Sequence, residues 1–205
     1  TIAAYEFDEP AQRSFPDDSG NGNEAVCVKG CPPLAADRDG TGSAASFGDG
    51  RYLRIGGDDT FRTSDGFTVA AWVLVRRLPT ADVACMVCKP LDGTALNSWG
   101  LMVENDGRPL FYSAADIDED VLFGKQGVIL DSWLHLAITW DGETKQVWID
   151  GIGGAQQRAP IDIDRFAEGD GAEPGERLGD LHPVGAAQER EEVLRILLAL
   201  TDAFR

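Results

Sequence analysis

Hydrophobic and polar residues alternate over the first three quarters of the chain in the manner of short β-strands. In the segment AYEFDE, residues 4–9, Tyr5 and Phe7 alternate with acidic residues, as they do in a strand with one buried face. The segment FTVAAWVLVRRL, residues 67–78, is apolar on both faces and rich in valine, which is typical of a central strand covered on both sides. The pattern predicts strands from residue 4 to about residue 155.

Two longer segments predict β-hairpins. The segment WGLMVENDGRPLFYSA, residues 99–114, places two strand patterns around Asn-Asp-Gly, a sequence that favours a tight hairpin turn. In GVILDSWLHLAITWDGETKQVWIDG, residues 127–151, the letters DGETKQ connect two further strand patterns. Many short strands separated by Gly, Asp and Asn predict a single antiparallel β-sandwich domain. The acidic segment at residues 162–176 is interrupted by Gly and Pro, which indicates a long surface loop.

The C-terminal segment EREEVLRILLALTDAF, residues 189–204, has two interpretations. Val193, Ile196, Leu197 and Leu200 recur at helical spacing after acidic residues, as in an amphipathic helix. The letters EVLRIL also alternate as a strand does. The pattern alone leaves both structures open.

The composition limits the classes of partner. The chain has 205 residues, the length of one domain, and carries 35 acidic against 18 basic residues, for a net charge of −17. This charge argues against nucleic acid and against an anionic membrane surface as partners, whereas it suits divalent cations.

The longest apolar run, residues 193–200, is too short and too charged to span a bilayer. The first ten residues lack an initiator Met and the regions of a signal peptide, so we expect the chain to begin at a processing site or an expression boundary.

The four cysteines form two close pairs. A zinc site commonly has two C-x2-C pairs, and only Cys85 and Cys88 have that spacing. Cys27 and Cys31 lie in CVKGCPP, where Gly and Pro suit a tight turn, and we expect a disulfide there in a secreted protein. Cys85 and Cys88 fit small apolar residues of a core strand at least as well as a bonded pair.

The turn FPDDSGNGNEAVC, residues 15–27, has the pattern of half a calcium loop. Oxygen-bearing side chains recur at alternate positions: Asp17, Ser19, Asn21 and Asn23. Gly22 allows the bend that such a loop needs. An EF-hand would need a glutamate at position 28, which is Val28, so other segments must complete any calcium site. The alternative is a turn whose Asx side chains bond their own backbone.

Two other acidic segments are weaker candidates. In AADIDEDVL, residues 114–122, Asp116, Asp118 and Asp120 share one face if the segment is extended, as the paired carboxylates of a glycoside hydrolase do. All three are Asp and no aromatic sugar platform flanks them, so we interpret the segment as a solvated acidic loop. We interpret ADRDGTG, residues 36–42, as a turn.

Aromatic and histidine residues mark no ligand site in the sequence. The five tryptophans lie within apolar strand patterns, and we expect most of them to be buried. These are Trp72, Trp99, Trp133, Trp140 and Trp148. His135 and His182 are too isolated for a catalytic triad or zinc, and we expect His135 on a sheet face and His182 in a loop.

Several segments follow one another as in a known family. In order they are AYEFDE, DDSGNGNEA, GSAASFGDGRYLRI, FTVAAWV, KPLDGTALNSWGL and SWLHLAITWDGETKQVWIDG. The most specific part is Trp133-x-His135-x-Ala137-x-Thr139-Trp140-Asp141-Gly142, followed by VWIDG at residues 147–151. The chain resembles laminin-G-like domains of the concanavalin A-like lectin/glucanase superfamily. The resemblance implies a jelly-roll β-sandwich of two curved antiparallel sheets with a short C-terminal helical turn.

The resemblance extends to the divergent segment at residues 160–205 if the tail is a degraded form of the family's last strand and turn. Glu191 and Glu192 would then begin a strand over residues 191–197, beside the first strand, and residues 199–202 would form the turn. We therefore choose the strand over the helix, within a single domain of residues 1–205. In this fold the first and last strands lie near the acidic turn, so we expect Asp8 and Glu191 or Glu192 to complete a calcium site with that turn.

The resemblance also implies a function. Such domains act as extracellular, non-catalytic binding or adhesion modules, often for glycans and often with calcium. We expect a secreted or cell-surface module that binds glycan or a protein surface, with no enzymatic activity. The alternative is a self-assembling structural subunit of an extracellular fibre or coat, and a glycoside hydrolase is the remote alternative.

Overall fold

The computed structural model describes fifteen β-strands and, within the described residues, no helix. The described residues are 1–48, 50–56, 61, 66–89, 98–115, 118–158 and 194–199. The strands are β1 (Ala4–Tyr5), β2 (Ser14–Phe15), β3 (Ala25–Val28), β4 (Leu34–Ala36), β5 (Ser43–Phe47), β6 (Tyr52–Ile55), β7 (Phe67–Val75), β8 (Val83–Lys89), β9 (Ser98–Glu104), β10 (Pro109–Ala115), β11 (Asp118–Phe123), β12 (Trp133–Trp140), β13 (Thr144–Ile149), β14 (Ile152–Arg158) and β15 (Leu194–Ala199).

The strands form three antiparallel sheets. The largest has eight strands in the order β14-β13-β12-β7-β15-β5-β4, with β1 also paired to β15. A four-stranded sheet, β11-β10-β9-β8, and a three-stranded sheet, β2-β3-β6, contribute to the same hydrophobic core. The prediction of an all-β sandwich is confirmed, with the smaller layer divided into two sheets.

The core lies where inward side chains of the three sheets meet. Val73 and Ile138 of the eight-stranded sheet are fully buried, as are Leu101 of the four-stranded sheet and Ala25 of the three-stranded sheet. The ring of Phe67 joins two sheets, with its centroid 5.0 Å from that of Trp99 and 5.7 Å from that of Phe111. Burial of these side chains is the main stabilising contribution to such a sandwich.

The two predicted hairpins are confirmed. Residues 99–114 fold into β9 and β10, whose turn is closed by a backbone hydrogen bond from Gly107 to Glu104. Residues 133–149 form β12 and β13, and the carboxylate of Asp141 accepts the backbone N–H groups of Glu143 and Thr144 in their turn. In both hairpins, hydrogen bonds within the turn stabilise the connection between the two strands.

The C-terminal strand β15 lies in the middle of the eight-stranded sheet. One edge pairs with β7, and the other pairs with β5 and β1, where Tyr5 lies opposite Leu198. The prediction of a strand beside the first strand is confirmed, but the strand extends to Ala199, which the sequence had placed in the turn, because Ala199 pairs with Ala4. A helix here would leave the ladder hydrogen bonds of β7 and β5 without partners, which is costly in a buried sheet. Glu191, Glu192, the surface loop at 162–176 and residues 200–202 of the expected helical turn lie outside the described residues.

Two disulfides close short loops. The predicted bond between Cys27 and Cys31 is confirmed. Cys85 and Cys88 are also bonded to each other, within β8, and Cys85 is exposed. Of the two alternatives that the sequence left open for these residues, the bonded pair is therefore the one present. Disulfides persist in oxidising compartments.

A buried ion pair connects the eight-stranded and four-stranded sheets. Lys145 of β13 has no exposed surface, and its Nζ lies 2.9 Å from Oδ2 of Asp120 in β11. Gln157 donates to the other oxygen of Asp120 at 2.9 Å, and the ring of Phe111 lies 5.2 Å from Nζ. Burial lowers the pKa of Lys145, and the hydrogen bond to Asp120 opposes this shift. Asp120 thus lies in a strand, and the interpretation of residues 114–122 as a solvated loop was wrong for this residue. Asp116 lies outside the described residues.

The two halves of this ion pair differ in their access to water, which predicts unequal effects of mutation. Asp120→Ala leaves the fully buried Lys145 ammonium without its carboxylate and should lower the free energy of unfolding by about 2–4 kcal/mol. Lys145→Met fills the same space, and the Asp120 side chain, 31% exposed, can hydrate, so we expect a loss below about 1 kcal/mol. Urea unfolding measures both, and equal losses would contradict the assignment.

Candidate functional site

Tryptophan and histidine side chains occupy the outer face of the eight-stranded sheet. In β7 and β12 the inward positions hold aliphatic core residues, and the alternate positions place Trp72, Trp133 and His135 on the other face. Trp72 and His135 lie directly opposite each other, with ring centroids 5.1 Å apart. The expected place of His135 on a sheet face is confirmed. His182 lies outside the described residues.

The expectation that most tryptophans are buried was wrong. Trp99 and Trp140 are 6% and 3% exposed, whereas Trp72, Trp133 and Trp148 are only half-buried. The indole N–H of Trp148 donates to the hydroxyl of Thr139 at 3.0 Å, so Trp148 has its own place on the outer face. An apolar strand pattern did not reveal which face of the sheet each indole would occupy.

The turn after β4 brings a cation over one of these indoles. The guanidinium of Arg38 lies 4.1 Å from the ring centroid of Trp72, and its Nε and Nη2 each donate to Asp39 at 3.0 Å. This forked pair lowers the pKa of Asp39. Asp37 Oδ1 accepts the backbone N–H groups of Asp39 and Thr41, both at 3.1 Å, which fixes the turn. The predicted turn at residues 36–42 is present and holds Arg38 in place.

The turn and the tryptophans enclose a shallow cleft of about 100 Å³, here called the outer-face cleft. It is lined by Asp37, Arg38, Asp39, Trp72 and Trp133. Aromatic faces beside a carboxylate and a guanidinium offer both an apolar stacking surface and directional hydrogen bonds. This site was not predicted from the sequence, in which the signal available was the outward register of Trp72 and Trp133 in their strands.

Two further carboxylates lie near neighbours of the cleft residues: Asp150 is close to His135, which contacts Trp72, and Asp8 is close to Gly42, as is Asp37. The backbone N–H of His135 donates to Asp150 Oδ1 at 2.8 Å. Burial lowers the pKa of the His135 imidazole, while the charge of Asp150 opposes this shift and that of Arg38 adds to it. Asp8 and Asp37 both approach Gly42, where an added Cβ would lie 2.8 Å from Asp37 Oδ2 and 3.9 Å from Asp8 Oδ1.

The acidic turn predicted for calcium surrounds Asp17. Asp17 Oδ1 accepts the backbone N–H groups of Ala4 and Ser19, both at 3.0 Å, and Oδ2 accepts that of Asn23 at 2.9 Å. The hydroxyl of Tyr5 donates to the carbonyl of Asn23. Burial raises the pKa of Asp17, but its hydrogen bonds with Ser19, Ala4 and Asn23 outweigh burial and lower the pKa to about 2.

The other side chains of this turn bind the start of the chain. Ser19 Oγ donates to the carbonyl of Ile2 at 3.2 Å, and Asn23 Nδ2 donates to the same carbonyl at 2.8 Å. Asn21 Nδ2 donates to the carbonyls of Thr1 and Ile2. The side chains of the turn therefore attach residues 1–5 to it, and we call this arrangement the N-terminal clamp.

The N-terminal clamp fits the alternative of an Asx-rich turn better than a calcium loop. The oxygens of Asp17 already accept three N–H groups. Within the described residues, no three His, Cys, Asp or Glu side chains come close enough to hold a metal ion. Asp8 lies beside Asp37, and Glu191 and Glu192 lie outside the described residues. Calcium binding stays a prediction.

The family of the chain follows from its sequence match. Residues 47–170 match the family model Laminin_G_3, described as the concanavalin A-like lectin/glucanases superfamily. The chain belongs to this superfamily. The match contains β7 and β12, which place Trp72 and Trp133 in the outer-face cleft. Among curated proteins there is no sequence match.

Solved structures share the fold of this superfamily member at low sequence identity. Domain 4 of AbnA, a GH43 extracellular arabinanase from Geobacillus stearothermophilus in complex with arabinotriose, is 18% identical, with a TM-score of 0.58 over 98% of this chain and 93% of that one. Trypanosoma rangeli sialidase with the inhibitor DANA is 15% identical, with a TM-score of 0.58 over 95% of this chain and 30% of the sialidase. Botulinum neurotoxin type C, whose cell entry depends on interaction with two ganglioside molecules, is 9% identical, with a TM-score of 0.61 over 97% of this chain and 46% of the toxin chain.

This chain therefore matches less than half of the length of the sialidase and toxin chains, but nearly all of the arabinanase domain. At these identities the similarity shows the fold alone. Within the described residues, no helix has the length and apolar character needed to cross a membrane.

The N-terminal clamp predicts a stability loss for Asp17→Asn. Asparagine has one acceptor oxygen, so at least one of the three backbone N–H groups loses its partner, at about 1–2 kcal/mol of unfolding free energy. Because the pKa of Asp17 is lowered to about 2, the contribution of its carboxylate to the free energy of unfolding is complete above about pH 4. This contribution is lost as the pH falls toward 2. Thermal unfolding across this range measures the loss. The control is Asp18→Asn, which removes an acceptor for one N–H only, and an equal loss there would contradict the clamp.

Thermal unfolding also tests the calcium prediction. A calcium site formed by this turn predicts a higher Tm in millimolar calcium than in EDTA, because a ligand of the native state alone raises stability. Magnesium serves as the control ion, and Asp17→Asn should abolish the increase. An equal Tm in calcium and EDTA would show that the clamp functions without the ion.

Proposed function

We propose that this chain is a non-catalytic extracellular module that binds glycan in the outer-face cleft. The observation that carries the proposal is the position of Trp133 and the Arg38-covered Trp72 beside Asp37 and Asp39. Indole faces suit the C–H surfaces of sugar rings, and the carboxylates and guanidinium supply acceptors and donors for hydroxyl groups. The arabinotriose in the arabinanase domain supports glycan as the ligand class for this fold.

The hydrogen bonds of the acidic side chains support a binding role over hydrolysis. A glycoside hydrolase needs a carboxylic acid with a raised pKa to protonate the leaving oxygen. In the outer-face cleft, the hydrogen bond from Arg38 lowers the pKa of Asp39. Asp120, from the acidic segment that resembled a catalytic pair, is bonded to Lys145 and Gln157.

An extracellular location is supported by the two disulfides. Both close very short loops, between Cys27 and Cys31 and between Cys85 and Cys88. Thiols at such positions stay reduced in the cytosol, whereas they oxidise in the extracellular space. We therefore place the module outside the cell.

Binding and hydrolysis assays on one glycan panel test the proposal. We expect the protein to be retained on immobilised oligosaccharides, and we expect no release of reducing sugar from the retained ligands over long incubation. Arg38→Ala should weaken retention, because it removes the guanidinium from Trp72 and Asp39, while Arg13→Ala, an exposed arginine outside the outer-face cleft, should not. Release of reducing sugar would refute the non-catalytic assignment, and equal effects of the two variants would refute the site.

A further inference from the structure

The charge around the outer-face cleft disfavours anionic ligands. Asp37 and Asp39 line it, and Asp8 lies beside Asp37 at Gly42. Arg38 is the one cation among the five lining residues, and both Asp39 oxygens accept hydrogen bonds from it. The chain as a whole carries a net charge of −17. A sialylated, sulfated or uronic sugar would bring its charge to carboxylates, and none of the five lining residues is an unpaired cation that could receive it.

The cation position of the outer-face cleft is already occupied. Two indoles beside carboxylates are the elements of a cage for an ammonium or guanidinium group. Arg38 itself lies over Trp72, 4.1 Å from the ring centroid, and forms the forked pair with Asp39. A cationic ligand would have to displace this side chain, which argues against a basic peptide.

The hydrogen-bonding groups that remain suit hydroxyl groups. Arg38 uses Nε and one N–H of Nη2 for Asp39, which leaves three N–H groups, two on Nη1 and one on Nη2, as donors. Asp37 Oδ1 accepts two backbone N–H groups, whereas Oδ2 accepts no hydrogen bond from the described residues. A hydroxyl donates to a carboxylate and accepts from a guanidinium, so the hydroxyl groups of a sugar suit both side chains.

The size of the outer-face cleft limits the ligand to part of one sugar. Its volume is about 100 Å³. Sites that enclose a whole small molecule usually measure about 300 Å³ or more. The cleft therefore receives the edge of one ring, with the remainder of the glycan outside.

We infer that the outer-face cleft recognises the terminal residue of an uncharged glycan and discriminates against sialylated, sulfated and uronic sugars. The inference rests on the proposed function and narrows its ligand class. In this preference for uncharged ligands the chain would differ from the sialidase and the ganglioside-dependent toxin that share its fold.

A glycan array with matched pairs tests the inference. Each neutral oligosaccharide is printed beside its sialylated or sulfated derivative, for example lactose beside 3′-sialyllactose. We expect binding to neutral members only, and a loss of about tenfold or more in affinity for Trp133→Ala, since the stacking surface is removed. Trp148→Ala is the matched control, because Trp148 lies on the same outer face and does not line the cleft.

A second variant tests the role of charge directly. Asp37→Asn keeps the Oδ1 acceptor that holds the turn and removes the negative charge. We expect this variant to raise the binding of anionic glycans relative to their neutral partners several-fold. Arg38→Ala, in the exposed turn, provides an independent loss of binding if Trp133→Ala fails to fold.

The outcomes separate the inference from the proposed function. Retention of neutral glycans, lost in Trp133→Ala or Arg38→Ala and kept in Trp148→Ala, supports both. Preferential binding of anionic glycans overturns the inference and leaves the glycan-binding function standing. Unchanged binding by Trp133→Ala overturns the location, and no binding to any glycan on the array overturns the proposed function together with the inference.

Discussion

The register between β7 and β12 is the constraint on which both the core and the outer-face cleft depend. Ala71 lies opposite Leu136 on the inner face, and Trp72 lies opposite His135 on the outer face. Because side chains alternate along a strand, a shift of one residue would move the indole and imidazole into the core and the aliphatic residues out of it. The burial of the aliphatic face thus fixes the position of the candidate site, although no residue of that face touches a ligand.

The turn at residues 36–42 makes the outward-facing Trp72 part of the proposed binding site. Trp72 alone would be a half-exposed apolar side chain of the kind that is common on protein surfaces. Arg38 covers one indole, and Asp39 and Asp37 fix the arginine and the turn. A surface ion pair of this type contributes little to stability, so its main effect here is to define the donors and acceptors at the mouth of the outer-face cleft.

Features that depend on local chemistry were predictable from the sequence, and features that depend on distant pairing were not. The hairpins at Asn105–Gly107 and at Asp141 follow from turn residues and alternation within short segments. The Cys27–Cys31 disulfide is likewise local. In contrast, the ion pair of Lys145 and Asp120 and the contact of Arg38 with Trp72 join elements that the sequence separates widely. The terminal segment fitted two periodicities, and the sheet edges available to β15 decided between them.

The central position of β15 also sets the order in which the protein can be completed during synthesis. The ladder between Ala4 and Ala199 joins residues that lie far apart in the sequence, so β1 has no partner until β15 has been synthesised. Until then β7 and β5 each present an unpaired edge, and such edges recruit strands from other chains. Contacts between residues this distant also form slowly, because long loops must close first. The risk of misassembly is therefore greatest in the interval before β15 pairs with β7 and β5.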